Sequence, residues 1–368
     1  MCQNRTMGTE TSWHDVGARV GEARRAAGLT QGQLADQMGL DRTAVSKIES
    51  GSRRIAALEL TRLADALGLP LDHFLATPAL VLSNRQPLVE EVESDATKSA
   101  FRTQALLGAW LRDVHQAREL GFLPLRELWT YPDPVEGIES YRTAARWVRR
   151  RLGNATGPLQ SMASLCALAG QWPLVAEIPS DGASLIDGGV AVSIISLRGD
   201  PGRRRATAAH ELGHMVLGDA YSNDLGVHAS AMDRERAIEA FAAELLLPAR
   251  AIGDSWVKQK SDREQLVRVA ATFRVSWSLA LAQAERAGVI ESASKSSLMA
   301  RTPTRAEFLE ALGWAPEPDL SSVRVAPDYA AAIFRAYQAG KLTRARAAEM
   351  LHGEVTQDDL PAEENVEC

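Results

Sequence analysis

Cysteine is scarce: Cys2, Cys166 and Cys368 are the only three in 368 residues, and two of them stand at the ends of the chain. That count and spacing exclude a disulfide framework and fit a reducing cytoplasm. Long apolar runs are missing as well. No stretch approaches the roughly 18 consecutive apolar residues of a membrane helix, and the opening MCQNRTMGTE is too polar for the core of a secretory leader. Nor is there an excess of one charge, since 41 Lys and Arg face 47 Asp and Glu for a net charge of −6. This excludes a protein that coats nucleic acid through a broad basic surface, and leaves room for a small DNA-reading module. The expectation is a cytoplasmic, globular protein with no membrane contact.

What is present is enough to fold. With 45% hydrophobic and 24% charged residues the chain can bury sizeable cores, and its length calls for two or three domains. Residues 1–12 read as a flexible N-terminus. Residues 13–76 carry closely spaced helix signals, with glycines where helices should end. The stretch 77–100, with two prolines and a charge run, reads as a linker. From 101 to 290 a second domain opens with amphipathic stretches at AWLRDVHQARELG and YRTAARWVRRRLG. Strand candidates follow at LVAEIP and GVAVSIISL, then helices at about 203–218 and 233–247, the latter stopped by Pro248. Residues 301–353 read as a small helical C-terminal unit and 354–368 as an acidic, unpacked tail. The expected fold class is mainly α with a small β-sheet (α+β).

Residues 28 to 54, GLTQGQLADQMGLDRTAVSKIESGSR, hold two short helices in series. Thr30 and Gln33 form a capping box, Leu34, Ala35 and Met38 an apolar face, and Gly39 a stop. Asp41 can cap a second helix with Ala44, Val45 and Ile48 turned inward and Gly51 at its end. Two such helices around a tight glycine turn are the helix-turn-helix pattern. It leaves Arg42, Thr43, Ser46 and Lys47 on polar positions where a recognition helix meets base edges, with Gln31 placed for a phosphate. The segment resembles the Xre/Cro phage-repressor family, through TQGQLADQMGLDRTAVSKIESG and the following ALELTRLADALGL. The resemblance implies that Gln31, Arg42, Thr43, Ser46 and Lys47 contact a double-stranded DNA operator, with Glu49 structural. Eight basic and eight acidic residues between 13 and 76 make the module neutral. Few phosphate contacts follow, and operator symmetry points to a homodimer.

In RRRATAAHELGHMVLGD, His210 and His214 lie four apart, on one helix face, so two imidazoles can meet one ion. Glu211 stands beside them, within reach of the attacking water. This is the H-E-x-x-H pattern of zinc peptidases. A catalytic zinc needs a third protein ligand. Downstream, MDRERAIEAFAAELLLP offers Glu235, Glu239 and Glu244. Glu235 and Glu239 share a face, and one can bind metal while the other accepts a histidine ring N–H. Spacing leaves open which does which. HELGH followed by ERAIEAFAAELLLP resembles the ImmA/IrrE metallopeptidases, where a Glu six positions before the Phe of FA-x-x-LLxP is the third ligand. That likeness implies Glu235 as ligand and leaves Glu239 to accept a ring N–H of a histidine ligand. The chain departs from the family where Ile238 and Glu239 replace Ala followed by Asn or Asp.

Together these features imply a DNA-binding regulator whose domain uses Zn2+ to hydrolyse a partner protein. The resemblance implies a transcriptional repressor as that substrate, with Glu211 as general base. GVAVSIISL is expected as an exposed edge strand on which an extended substrate lies. A non-catalytic repressor, or an antitoxin-like regulator whose zinc domain senses or scaffolds, is the alternative from a different class.

Overall fold

The computed structural model describes residues 12–69, 71–75, 81–85, 93–218, 228–257, 259–313, 318–320 and 325–361. Four helices come first: α1 (Trp13–Ala26), α2 (Gln31–Met38), α3 (Arg42–Glu49) and α4 (Ala57–Leu67). Both bonds of the Thr30–Gln33 capping box form, and Gly39 ends α2 with φ 68°, a conformation in which glycine is unstrained. Asp41 accepts the Ala44 amide at 2.7 Å and starts α3. The chain therefore turns sharply between α2 and α3. Inward residues Val20, Leu34, Val45, Ile48 and Leu63 become a core of their own, none more than 1% exposed.

A 3-10 turn (Leu71–Phe74) and β1 (Val81–Arg85) lead to α5 (Glu93–Glu119). The linker expected over 77–100 is thus partly structured. The prolines at 78 and 87 bracket eight residues, five of which form the short edge strand, and the acidic run before 96 suits a helix N-terminus. Ala105 of α5 packs among the N-terminal helices, while Leu107, Trp110 and Val114 belong to the next core. One helix therefore joins the two bodies.

Next come α6 (Gly137–Arg151), α7 (Met162–Leu168), β2 (Gln171–Ala176), β3 (Gly182–Asp187) and β4 (Val190–Ser196). The sheet runs β1-β3-β4-β2, with β2 parallel to β4 and the other two pairs antiparallel. All of β4 is buried. Ala191 and Ile195 face α8 (Pro201–Leu217), while Val192 and Ile194 face α5, as the two-residue period of a strand requires. The expectation of an exposed edge strand over GVAVSIISL is therefore wrong. A strand apolar on both faces needs two covering layers, and that places it in the middle of the sheet. The edges are β1 and β2.

The chain continues through α9 (His228–Leu246), α10 (Ala249–Ser255), α11 (Asp262–Phe273), α12 (Trp277–Arg286), α13 (Ser292–Met299) and α14 (Arg305–Leu312). Its last helices are α15 (Pro327–Gln338) and α16 (Arg344–Met350). The result is mainly α with a small sheet. The C-terminal helices do not stand apart. Tyr329 and Ile333 of α15 and Ala347 of α16 share the core formed by α5 and the sheet, and Arg263 ties α14 to α11 through Glu307 at 2.7 Å. The unpacked tail expected from 354 is also too early. Leu360 is 2% exposed, and the Tyr337 hydroxyl donates to the Pro361 carbonyl at 2.5 Å. Residues 362–368 lie outside those described. No helix among the described residues is long and apolar enough to cross a membrane.

Candidate metal centre

Asp200 caps α8 through the Arg203 amide, and Pro201 fits its first turn, where a missing N–H costs nothing. The four-residue spacing then sends His210 and His214 the same way. Both are buried, with Nε2 atoms 3.0 Å apart. The crossing helix is held at Gly213, where a Cβ would stand 2.9 Å from the Phe241 ring and 3.3 Å from the Ile238 side chain. Only a hydrogen atom lets α8 and α9 come so near. Glu235 lies one turn before Ile238 on the same side of α9. Its carboxylate reaches 3.2 Å from His210 Nε2 and 3.8 Å from His214 Nε2.

The three ligand atoms lie within 4.8 Å of one another, and His210, His214 and Glu235 are the group of this kind among the described residues. Ligands about 2.0–2.1 Å from a tetrahedral zinc stand roughly 3.3 Å apart. Separations of 3.0, 3.2 and 3.8 Å fall around that figure. Two buried imidazole nitrogens pointed at one another beside a carboxylate make a donor set that fits a cation. His210 Nδ1 is buried with no hydrogen-bond partner among the described residues. Glu239, expected to accept a histidine ring N–H, is exposed and outside the ligand group.

Glu211 is fully buried next to this trio. Its Oε2 accepts the Ser184 hydroxyl at 2.7 Å, and its backbone carbonyl accepts the Gln171 side-chain amide at 2.9 Å. Ser184 and Gly182 project from β3 toward α8, because the register sets Ser184 opposite Ser193 and Gly182 opposite Ile195. A Cβ on Gly182 would meet the Thr207 methyl at 2.5 Å and Glu211 Oε1 at 3.1 Å. Glu244 has a different role. It is buried and paired with Arg286, and with Arg146 at 3.4 Å, so it braces α9 against α12 and α6. Arg149, also buried, donates to the Leu245 and Leu246 carbonyls at 2.7 and 3.3 Å and so caps the end of α9. Burial draws its pKa down to about 10, still well above neutral pH.

Ser184, Gln171 and Gly182 had no signal in the sequence motifs. They come from strands, and the segment around 182–187 carries a glycine, a serine and an aspartate that hide its strand character. Only the tertiary register brings them to Glu211.

On the N-terminal helices, Arg42, Thr43, Ser46 and Lys47 are all exposed on one side of α3. Gln31 is engaged within the fold, its amide donating to Glu49 Oε2 at 2.8 Å. Arg24 donates to the other oxygen of Glu49 at 2.5 Å. Burial works against the Glu49 charge, yet the bonds from Arg24 and Gln31 outweigh it and hold the carboxyl below its ordinary range.

Comparison with known proteins finds two family matches along the chain. Residues 20–74 match the family described as "Helix-turn-helix", of Xre-like type, and residues 194–284 match "IrrE N-terminal-like domain", a peptidase family. Over 61 residues the chain is 39% identical to an "Uncharacterized transcriptional regulator in ATPase CF(0) region" of Rhodospirillum rubrum, covering 17% of this chain and 56% of that protein. The chain thus spans only about half the length of that curated relative. A crystal structure of Bacillus thuringiensis PlcR with the peptide PapR7 and DNA aligns at 12% identity and a TM-score of 0.18, over 92% of this chain and 79% of that one.

Proposed function

We propose that this chain, which joins an Xre-like helix-turn-helix domain to an IrrE N-terminal-like peptidase domain, is a DNA-binding regulator that hydrolyses a partner protein. The observation that carries the reading is the convergence of His210, His214 and Glu235 beside a buried Glu211. In this reading the first three hold zinc, which when bound supplies Lewis acidity to the scissile carbonyl and acidity to the attacking water. Glu211 takes the proton of that water and delivers it to the departing amide nitrogen. Ser184 keeps the carboxylate aimed at the ligand group. Residues 13–76 read a double-stranded operator through Arg42, Thr43, Ser46 and Lys47, with Gln31 at the phosphate backbone, and a homodimer matches the two-fold symmetry of such sites. Residues 101–290 carry out hydrolysis, and a transcriptional repressor is the partner that the family likeness favours.

Metal content by mass spectrometry is the test. About one zinc per chain is expected in the wild type, lost in His210→Ala and Glu235→Ala. Glu211→Gln should keep its zinc and lose hydrolysis of a repressor encoded beside the gene. Protein that takes up no metal would end the peptidase reading. Metal uptake with a Glu211→Gln variant as active as wild type would remove Glu211 from its role.

A further inference from the structure

The strand that touches the general base is not open to solvent along its outer side. Ser184 of β3 donates to Glu211, and β3 is covered on that side by β1, drawn from residues ahead of α5. The pairing is antiparallel, with Ser83 opposite Ser184, Asn84 opposite Ala183 and Arg85 opposite Gly182. β1 also contacts α8, the helix that carries His210, Glu211 and His214. A strand edge offers one row of N–H and C=O groups, and an extended peptide binds by taking that row. At this edge the row is taken by the chain itself, beside the residues that would cut.

We propose that β1 is a built-in occupant of the peptide-binding edge of β3, and that an extended segment of a substrate protein enters by displacing it. This rests on the peptidase reading above. β1 suits a displaceable role. It has five residues, and its register slips between Val81 and Ser83, so its ladder is short and interrupted. It leads into α5, which packs on both the N-terminal helices and the sheet. Movement of the DNA-reading helices therefore has a direct route to the strand that guards the site.

The test measures binding, so it does not depend on hydrolysis. Full-length Glu211→Gln protein, loaded with zinc, is titrated into a fluorescein-labelled peptide with the sequence of residues 79–87, followed by anisotropy. Adding Ser83→Pro and Asn84→Pro removes two consecutive backbone N–H groups from β1, one of which faces β3, and fixes both φ angles away from the extended strand; peptide binding should tighten tenfold or more. Equal binding with and without the prolines, or none in either, overturns the proposal. A second variant guards against a proline-damaged fold. Asn84→Cys with Ala183→Cys, at positions paired across the strands, can form a disulfide that pins β1 in place. Oxidised, it should reject the peptide at least tenfold more strongly than when reduced, and no difference between the two states overturns the proposal. If the zinc measurements fail while these binding shifts appear, the peptidase reading falls and the strand-displacement site stands.

Discussion

Ser184 on β3 donates its hydroxyl to Oε2 of Glu211 on α8 at 2.7 Å, and both residues are 0% exposed. A buried carboxylate loses its water, so each fixed donor decides where it points. This bond couples the sheet to the H-E-x-x-H helix at the atom that would move a proton. Replacing Ser184 with Ala leaves His210, His214 and Glu235 untouched. The expected outcome is unchanged zinc stoichiometry with kcat/KM lowered about ten- to a hundredfold, from loss of a hydrogen bond to a charged group worth about 1.5–3 kcal/mol. Steady-state hydrolysis beside metal analysis checks it. Loss of zinc in Ser184→Ala would mean that the serine supports the ligands instead.

Gly182 separates packing from positioning at the same place. An added Cβ meets Thr207 at 2.5 Å and Glu211 Oε1 at 3.1 Å. Gly182→Ala is expected to cost about 1–3 kcal/mol of stability through overpacking and to lower hydrolysis. Thr207→Ser removes the crowded methyl. The double variant should therefore regain most of the stability but little of the activity, because the contact with Glu211 stays. Thermal denaturation and hydrolysis of all four members of the cycle decide it; activity that recovers together with stability would show that Glu211 is not displaced.

How much of this was legible depended on whether the signal was local. Thr30 with Gln33, Asp41 and Gly39 act within a few residues, and each does what its spacing implies. His210 and His214 owe their convergence to helical periodicity, so they too could be read in advance. Glu235 could be placed only through a family likeness, because spacing treats it and Glu239 alike. In the structure α9 crosses α8 closely at Gly213, and the Glu235 carboxylate lies 3.2 Å from His210 Nε2. Ser184 and the central place of β4 were out of reach of the sequence. Strand register and sheet order are set by covering layers that come from distant parts of the chain, here α8 on one face and α5 with α15 on the other. The same reason hid β1, whose partner strand lies about a hundred residues downstream.

Acid should loosen the DNA-reading helices through Glu49. Its carboxyl titrates below the ordinary glutamate value of 4.5, because the bonds from Arg24 and Gln31 outweigh burial. A lowered folded-state pKa means that the stabilisation is complete above 4.5 and is lost as pH falls from there through the folded value. Calorimetry of Glu49→Gln against wild type should show a lower melting temperature at pH 7, and the difference should shrink as pH drops below about 4.5. A difference that is constant across that range would remove Glu49 as the source.

DNA binding offers the last discrimination, and it turns on salt. Arg42, Thr43, Ser46 and Lys47 line the exposed side of α3, while the segment from 13 to 76 has no net charge by its eight basic and eight acidic residues. A neutral module cannot rely on general attraction to phosphate, so its affinity must come from a few placed contacts. If Lys47 meets a phosphate, Lys47→Ala weakens binding to all sequences alike and reduces the slope of log K against log salt by about 1. If Arg42 reads a base edge, Arg42→Ala costs about 1–3 kcal/mol on the operator and much less on unrelated DNA. Titrations at several salt concentrations, on the operator selected from random sequences and on a scrambled duplex, distinguish the two. A chain whose variants at both positions bind every duplex as wild type does would be using α3 for a protein partner and not for DNA.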